Sequence, residues 1–420
     1  MEYKISDLCD IRRGASPRPI KNYIVDSYDN SLPWVKIADA TKDSSRYIYD
    51  TKERVSLEGS KKSVEVLPGD LILSNSATPG LPKFMKIKAC IHDGWLLLRN
   101  FKNVRKEFLY YILLLNRQKL LQLSNGSVFN NLKTDIVKNY IVDIPSIKKQ
   151  DKILKIIGNI EDKLDVNNKL IANLEELSQT LFKRWFIDFE FPDKNGTPYK
   201  SSGGEMIDSE LGKIPSNWKI YKLKDIASHK KETFNPKKSK EVIVKHFSLP
   251  AYDNEEQAIE EEVNKIKSNK WIINNNCVLF SKMNPDTKRI WLPVIDNKKL
   301  NVASSEFVVM ESPNNKINSF IYNICLNSQF IDYLKANTTG STNSRQRVKP
   351  TIAVNYKLAI EDSIVKKYSE IITPYMEEMK ILRSEIGKLT QLRDTLLPKL
   401  MSGEIEIPDD IEVNADELSI

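Results

Sequence analysis

The sequence predicts an α/β (α+β) chain in which two mixed domains are separated by an antiparallel coiled coil of two long helices. Two observations lead to this prediction. The chain repeats itself, because Tyr3-Lys4 near its start has a counterpart 215 residues later at Trp218-Lys219. Each copy also ends in a long stretch with apolar residues at heptad spacing, which is typical of a coiled coil. We therefore expect an internal pseudo-twofold repeat, with one domain and one long helix in each copy.

The repeat also predicts where the parts of the chain begin and end. Each copy opens on a strand-like segment, and Gly126-Ser127 near the end of the first body returns as Gly340-Ser341, one residue out of strict register. The bodies have otherwise diverged. The predicted parts are a first domain at 1–145, a first spacer helix at 146–189, a linker at 190–217, a second domain at 218–361, a second spacer helix at 362–403 and an acidic tail at 404–420.

The two helices share one seam in one register. Steps of four and three residues define it, and the polar residues Asn167 and Ser178 interrupt it. The seam contains Ile157, Leu164, Asn167, Ile171, Leu174 and Leu181 in the first helix, and Ile372, Met379, Leu382, Ile386, Leu389 and Leu396 in the second. A single stripe of this kind also fits an ordinary core helix, but two matching seams favour helices that pack on each other. Pro374 is expected to disturb the first turns of the second helix or to kink it.

Composition narrows the class of protein. The formal net charge of +8 favours a polyanionic partner, and the acidic tail contains no Lys or Arg, so the rest of the chain is more basic than its total. Four scattered cysteines form neither a zinc knuckle nor a disulfide framework. No apolar run approaches the roughly 18 residues of a membrane span, and no signal peptide is apparent. We expect a cytoplasmic chain that does not contact a membrane.

Known signatures of catalysis are missing from the sequence. It contains neither a P-loop nor G-x-G-x-x-G, and its three histidines form no H-x-x-x-H pair. The string nearest to an amino-methyltransferase motif, residues 284–287, lacks the second proline and the aromatic residue. We expect a binding protein with no catalytic residue, no metal and no bound cofactor, and an enzyme of unrecognised type stays an alternative.

Three loops in each copy carry side chains suited to DNA. They are a basic loop after the opening strand, a polar loop after an apolar strand and a Gly-Ser loop near the end of the body. Guanidinium forks fit phosphate or guanine, and Asn and Gln pair with adenine. The candidates are Arg12, Arg13, Arg18, Lys21, Ser74, Asn75, Thr78, Ser127, Asn130, Lys133, Lys230, Lys231, Lys237, Lys282, Asn284, Ser341, Asn343, Arg345, Gln346 and Arg347. Each run also fits a solvated surface loop. The loop at 339–349, rich in Asn, Gln and Arg, is the strongest candidate.

Three strings carry a resemblance to a known family. They are LFKRWFIDF at 181–189, GGEMIDSELGKIPSNW at 203–218 and LLPKLMSGEI at 396–405. With the duplication, they make essentially the whole chain resemble the specificity subunit of a Type I restriction–modification system. The resemblance implies two target recognition domains, each reading one half of an asymmetric bipartite DNA site. It also implies that the two helices space these domains and carry the methyltransferase subunits.

The resemblance further implies partners and cofactors. It suggests a non-catalytic chain in a complex with two adenine methyltransferase subunits, to which two ATP-driven restriction subunits add. S-adenosylmethionine and ATP with magnesium would then belong to those partners. Two alternatives remain from the residues themselves. One is a free-standing bipartite DNA-binding protein, such as a repressor, and the other is a coiled-coil scaffold with no DNA role.

Overall fold

The computed structural model describes residues 1–42, 45–124, 131–254, 256–313, 315–340 and 346–408. The chain divides into two compact units. Unit 1 combines Met1–Lys163 with Gln391–Ile420, and unit 2 is the contiguous stretch Leu164–Thr390. Unit 1 is therefore built from both ends of the sequence.

The strands of unit 1 form two five-stranded sheets and one two-stranded sheet. They are β1 (Glu2–Lys4), β2 (Asp10–Arg13), β3 (Ile24–Val25), β4 (Ser31–Val35), β5 (Tyr47–Ile48), β6 (Glu53–Ser56), β7 (Val64–Val66), β8 (Leu71–Ser74), β9 (Pro82–Met85), β10 (Ala89–Ile91), β11 (Trp95–Arg99) and β12 (Ile141–Asp143). One sheet has the order β2-β11-β8-β9-β5 and the other the order β3-β6-β4-β10-β7, while β1 pairs with β12. All residues of β8 are buried, as expected for a strand covered on both faces.

The helices of unit 1 pack on both five-stranded sheets. They are α1 (Ile5–Leu8), α2 (Ile37–Ala40), α3 (Leu57–Ser60), α4 (Lys106–Leu115), α5 (Arg117–Ser124), α6 (Thr134–Asn139) and the long α7 (Ile147–Phe182), which passes into unit 2 at Leu164. Helix α4 packs against β9 of the first sheet, and α3 packs against β4 and β6 of the second. The core packs Phe108 of α4 against Leu73 of β8 and Ile157 of α7, and Leu397 from the end of the chain joins the same cluster. Residues near position 400 thus complete the core of the first body.

Unit 2 repeats this plan with changes. Its strands are β13 (Met206–Ser209), β14 (Gly212–Pro215), β15 (Lys219–Lys222), β16 (Ser228–His229), β17 (Thr233–Phe234), β18 (Ile243–Phe247), β19 (Ile259–Glu262), β20 (Lys270–Ile272), β21 (Cys277–Ser281), β22 (Ile290–Trp291), β23 (Asn301–Ala303), β24 (Phe307–Glu311), β25 (Thr338–Thr339), β26 (Arg347–Val348) and β27 (Lys357–Ile360). Its helices are the last part of α7, α8 (Leu223–Ile226), α9 (Leu249–Asp253), α10 (Asn318–Leu326), α11 (Ser328–Ala336), α12 (Pro350–Ala353) and the long α13 (Asp362–Ser402), which enters unit 1 at Gln391.

The internal repeat predicted from the sequence is confirmed in the topology. The antiparallel pair β1-β12 has its counterpart in β15-β27, and the order β2-β11-β8-β9 returns as β16-β24-β21-β22. The second sheets also share a parallel pair, β4-β10 in unit 1 and β18-β23 in unit 2, whereas the parallel pair β5-β9 belongs to the first sheet of unit 1. Even the first helical turn is capped alike, because the Lys4 N–H donates to Asp7 Oδ2 (3.1 Å) and the Lys222 N–H to Asp225 Oδ2 (2.9 Å). The second sheets differ at their edges, where the sequences have diverged.

The long helices run antiparallel, as predicted. In unit 2, Tyr368 Oη donates to the Ser178 carbonyl (3.0 Å), and Asn167 Nδ2 donates to Glu385 Oε2 (2.8 Å), so residue numbers rise along one helix as they fall along the other. In unit 1, Arg393 Nη1 lies 3.5 Å from Glu161 Oε1. Both polar seam residues, Asn167 and Ser178, are fully buried.

The seam positions are distributed between buried and partly buried sites. Ile157, Leu164, Ile372, Met379, Leu382 and Ile386 are buried, and Ile171, Leu174, Leu181, Leu389 and Leu396 are partly buried. The expectation that Pro374 spoils the first turns is wrong, because α13 continues unbroken from Asp362 through Pro374. Packing of the apolar face stabilises a helix enough to tolerate one missing N–H donor.

Two further features concern the described residues as a whole. Within them, no helix has both the length and the apolar character that crossing a lipid bilayer would require. Cys9, Cys90, Cys277 and Cys325 are buried free thiols. Burial raises the pKa of the Cys90 and Cys277 thiols to about 11, so at neutral pH these two behave as small apolar side chains.

Candidate nucleic-acid interface

Three loops of unit 1 meet where strand β8 ends. Asn75, the residue after β8, donates its N–H to the Gly94 carbonyl (2.8 Å), and its own carbonyl accepts the N–H of Leu132 (2.8 Å). Ser74 folds the loop that follows, because its Oγ donates to the Thr78 carbonyl (2.6 Å). The loop after β8, the turn between β10 and β11 and the segment at 131–133 therefore form one group, here called junction 1.

Unit 2 contains the same junction built from different residues. Lys282, the residue after β21, donates its N–H to the Glu306 carbonyl (3.0 Å), and its carbonyl accepts the N–H of Val348 (2.9 Å). Ser281 Oγ donates to the Met283 carbonyl (2.9 Å), and the Asn284 N–H donates to the Gln346 carbonyl (2.9 Å). We call this group junction 2. The backbone frame is common to both copies, while the side chains on it differ.

Among the described residues, each junction has an arginine held by an acid of the turn. In junction 1, Arg13 Nε donates to the Asp93 carbonyl (2.9 Å), and Arg13 Nη2 lies 4.0 Å from Asp93 Oδ2. In junction 2, Arg347 Nη2 donates to Glu306 Oε1 (3.1 Å). The two arginine side chains are 60% and 56% exposed. Ion pairs this exposed add little stability, but they orient a guanidinium whose remaining N–H groups face solvent.

The turn of junction 1 depends on close backbone approach. A Cβ atom on Gly14 would collide with the His92 carbonyl, and one on Gly94 would collide with the His92 ring and with Ser76 Oγ. Ser16 Oγ donates to Asp93 Oδ1 (2.8 Å), and this hydrogen bond lowers the pKa of the Asp93 carboxyl. The acid that holds Arg13 is therefore ionised at neutral pH.

His92 borders an open cleft beside junction 1. The cleft has a volume of about 840 Å³ and is also lined by Ser16, Lys21, Trp34 and Lys36. His92 Nδ1 accepts the N–H of Gly94 (2.8 Å), and burial lowers the pKa of the imidazole. The ring is therefore neutral at pH 7, with its proton on Nε2.

The candidates among the described residues differ in how far their side chains are exposed. Exposed ones are Arg12, Arg13, Arg18, Lys21, Lys133, Lys231, Lys237 and Arg347, and partly exposed ones are Thr78, Lys282, Asn284 and Gln346. Ser74 and Asn75 are buried within junction 1. Lys230 has a side chain only 11% exposed and pairs with Glu311 (2.9 Å) and Glu232 (3.2 Å). Ser127, Asn130, Ser341, Asn343 and Arg345 lie outside the described residues.

The structure brings together some candidates that the sequence could only place in separate loops. Lys282, Asn284, Gln346 and Arg347 meet in junction 2, whereas Lys237 lies on a short turn (Pro236–Lys238) that follows β17 in the other sheet. Sequence reasoning missed the two turn acids, Asp93 and Glu306. The available signal was their common position, one or two residues before β11 and β24.

The site offers polar and cationic groups for recognition. Among the described residues, no group of three or more His, Cys, Asp or Glu side chains is arranged to hold a metal ion. What the junctions can do chemically is donate hydrogen bonds from arginine, lysine and amide groups to phosphates and base edges.

Comparison with known proteins finds similarity to the specificity subunits of Type I restriction enzymes. Residues 1–176 match the family model described as the Type I restriction modification DNA specificity domain. The chain is 25% identical over 419 residues to the Type I restriction enzyme MjaIX specificity subunit of Methanocaldococcus jannaschii, covering 97% of this chain and 93% of that protein. It is 33% identical over 116 residues to the HindI specificity subunit of Haemophilus influenzae, covering 27% of this chain and 25% of that one.

A solved structure shares the fold. The crystal structure of a Type I restriction–modification S subunit from M. genitalium superposes with a TM-score of 0.56 at 13% identity, covering 95% of each chain. This likeness concerns the fold. Residues 1–176 match a Type I restriction–modification DNA specificity domain and the whole chain aligns with a specificity subunit, so the chain is similar to the specificity subunits of Type I restriction–modification systems.

Proposed function

We propose that this chain reads an asymmetric bipartite site in double-stranded DNA, with one half-site read by each unit. The observation that carries the proposal is the recurrence of one loop junction with different side chains. The frame around Asn75 in unit 1 is the frame around Lys282 in unit 2, and each places one half-exposed arginine beside a turn acid. An oriented guanidinium fork is the commonest reader of guanine in the major groove. Two junctions with the same backbone frame but different side chains are suited to reading two half-sites of different base sequence.

Exposed cations around junction 1 support binding to the DNA backbone. Arg12, Arg18 and Lys21 are exposed on β2 and on the loop that follows it. Cations of this kind position a protein on DNA through phosphate contacts and make affinity fall with salt. The net charge of +8 agrees with such a partner.

The spacer helices would carry two adenine methyltransferase subunits. Val166 and Leu177, eleven residues apart on one face of α7, are 48% and 55% exposed. Their counterparts 215 residues later, Ile381 and Leu392 on α13, are 61% and 46% exposed. Exposed apolar residues repeated in the same register suggest two copies of one partner, each covering one helix.

The remaining parts of the proposal concern the assembled system. Two ATP-dependent restriction subunits would join this complex in the cytoplasm. S-adenosylmethionine and ATP with magnesium would be bound by the methyltransferase and restriction subunits, and this chain would bind no cofactor. This chain itself would recognise the DNA site and position the other subunits on it.

A domain exchange tests the function. Residues 1–145 are replaced by the corresponding part of another specificity subunit, and methylation is mapped across the genome of a host carrying the methyltransferase. We expect one half of the methylated site to change and the other half to persist. An unchanged methylation pattern would contradict the proposal. Tight, sequence-specific binding by the isolated chain without methyltransferase would instead favour a free-standing repressor.

A further inference from the structure

Unit 2 holds a group of charged side chains around one buried arginine, outside the three loops of junction 2, and its two glutamates are 31% and 21% exposed. Arg383 of α13 is 5% exposed. Its Nη2 donates to Glu175 Oε1 of α7 (2.8 Å), and its Nε lies 3.1 Å from Glu256 Oε2. Tyr322 of α10 donates its hydroxyl to the same Glu175 oxygen (2.7 Å). These four residues, Glu175, Glu256, Tyr322 and Arg383, are called the charge cluster below.

The charge cluster joins the body of unit 2 to the helices. Glu175 and Arg383 belong to the long helices, whereas Tyr322 lies on α10 and Glu256 follows α9, both in the body. A further contact strengthens this connection, because Gln257 Nε2 donates to the Arg383 carbonyl (3.1 Å). A Cβ atom on Gly387 of α13 would collide with the Gln257 side chain. The turn at 256–257 is therefore pressed closely against α13.

The backbone that delivers Glu256 is strained. Glu256 has a φ of 54°, in the left-handed region that residues other than glycine rarely adopt. Such a conformation persists only where the surrounding structure fixes it. The position of this carboxylate is thus maintained against its local backbone preference.

Stability alone does not account for such a cluster. Burial raises the pKa of Glu256 to about 6 although the Arg383 charge lowers it, so removing the carboxylate from water is costly. Arg383 Nη1 has no hydrogen-bond partner among the described residues, which adds to that cost. Buried ion pairs often stabilise a fold less than apolar residues of similar size would. They instead fix the relative positions of the paired side chains, because the hydrogen bonds of a planar guanidinium favour particular directions.

We propose that Arg383 is a positioning residue that fixes the angle at which the second domain meets the spacer helices. Through Glu175, Glu256 and Tyr322 it prevents the body from sliding or rolling on α7 and α13. A fixed angle sets where junction 2 meets DNA, and hence how many base pairs may separate the half-sites. This inference rests on the proposed reading of a bipartite site, and it goes beyond that proposal by assigning gap selectivity to one buried residue.

The test removes the cluster without leaving unpaired charge. The variant Arg383→Met/Glu175→Gln/Glu256→Gln keeps side-chain volume and replaces the carboxylates by amides. The matched control is Arg289→Met. Arg289 makes a bidentate pair with Asp253 (2.6 and 2.9 Å) inside the same body, with a side chain 14% exposed, and both residues belong to the body rather than to the long helices. Both variants lose a buried or nearly buried arginine, but only the first loses the connection to the helices.

The measurement uses each variant assembled with its methyltransferase subunits. Methylation rates are compared on duplexes with the native gap and on duplexes with a gap one base pair longer or shorter. We expect the preference for the native gap to fall by roughly tenfold in the triple variant, the size of a typical coupling inside one hydrogen-bonded network. Arg289→Met should keep the preference, because a general loss of stability lowers all rates together.

Three other outcomes would contradict the role of Arg383 or the proposed function. A folded triple variant with unchanged gap preference would overturn the role of Arg383. If the triple variant fails to assemble, Tyr322→Phe, which removes only one hydroxyl, takes its place, and an unchanged preference in that variant is equally negative. Wild-type methylation that ignores both half-sites would overturn the proposed function, and this inference with it.

Discussion

At the scale of single residues, the two junctions separate residues that build the frame from residues free to contact a ligand. Asn75 Nδ2 donates to the Asp93 carbonyl (3.2 Å), and Lys282 Nζ donates to the Ser305 carbonyl (2.7 Å), so both side chains fold back on their turns. Residue type and loop position indicated these side chains as DNA contacts. Their inward orientation could not be predicted, because the turn that accepts the bond is about twenty residues away in sequence. The side chains of Arg13 and Arg347, by contrast, stay 60% and 56% exposed.

Replacing the oriented arginines should alter specificity one half-site at a time. We expect Arg13→Met to relax discrimination at one base pair of the first half-site by about 1–3 kcal/mol, and Arg347→Met to do the same in the second. Arg12→Met is the matched control. Arg12 is exposed and precedes Arg13, so its loss should weaken binding evenly and reduce the salt slope by about one. Methylation rates on singly substituted duplexes would show the difference, and equal losses on all sequences for Arg13→Met would contradict the assignment.

Gly14 should be intolerant of even a methyl group. Because a Cβ atom there meets the His92 carbonyl, we expect Gly14→Ala to displace the turn of junction 1 and to abolish selection at the first half-site while the second is still read. Gly158→Ala is the control, since nothing lies within 4 Å of a Cβ on this residue of α7. That change should stabilise the protein by about 0.5–1 kcal/mol. Thermal unfolding and methylation mapping would check both, and normal selection in Gly14→Ala would exclude the close approach.

At the scale of elements, periodicity predicted the helices well and the sheets poorly. The heptad spacing indicated both α7 and α13, because a 3.5-residue period reflects one face of a single helix and is visible in a continuous stretch of sequence. The parallel pairs β4-β10 and β18-β23 gave no such signal, since each joins strands far apart in sequence. The limits predicted for the recognition domains, 1–145 and 218–361, each lie within a single unit and remain a prediction.

The exposed apolar positions of the long helices give a test at the level of the element. We expect Val166→Asp/Leu177→Asp to remove one methyltransferase subunit, and Ile381→Asp/Leu392→Asp to remove the other, because a charged side chain opposes burial at an apolar contact. The control is Asn173→Asp, which places the same charge at an exposed polar position of α7. Native mass spectrometry of the assembled complex would count the subunits. Full occupancy in both double variants would remove the support for a partner on each helix.

At the scale of the whole molecule, the histidines make stability depend on pH. Burial lowers the pKa of His92, His229 and His246, which outweighs the opposing effect of Glu261 on His246. The unfolded chain therefore binds more protons than the folded chain below about pH 6.5, and stability falls as the pH decreases through this range. Glu256 acts in the opposite direction, because its raised pKa of about 6 favours the protonated folded state on acidification.

The histidine effect can be isolated by substitution. We expect the urea concentration at the midpoint of unfolding to decrease as the pH is lowered from about 7.5 to about 5.5 in the natural chain. It should decrease less in the variant His92→Gln/His229→Gln/His246→Gln. Equilibrium unfolding at several pH values would give both slopes. Parallel slopes would mean that the three imidazoles titrate alike in the folded and unfolded chain.

The construction of unit 1 from both ends of the sequence has a consequence for how the chain is made. Its core contains Ile153 and Ile157 from the first helix and Leu397 and Leu400 from the last turns of the second. The ribosome completes unit 2 in between, since that unit is contiguous. At a synthesis rate of about 5–20 residues per second, the apolar face of the first helix stays uncovered for on the order of ten to fifty seconds, until the residues that cover it are made. Residues 1–163 thus emerge before unit 2 but complete their core after it.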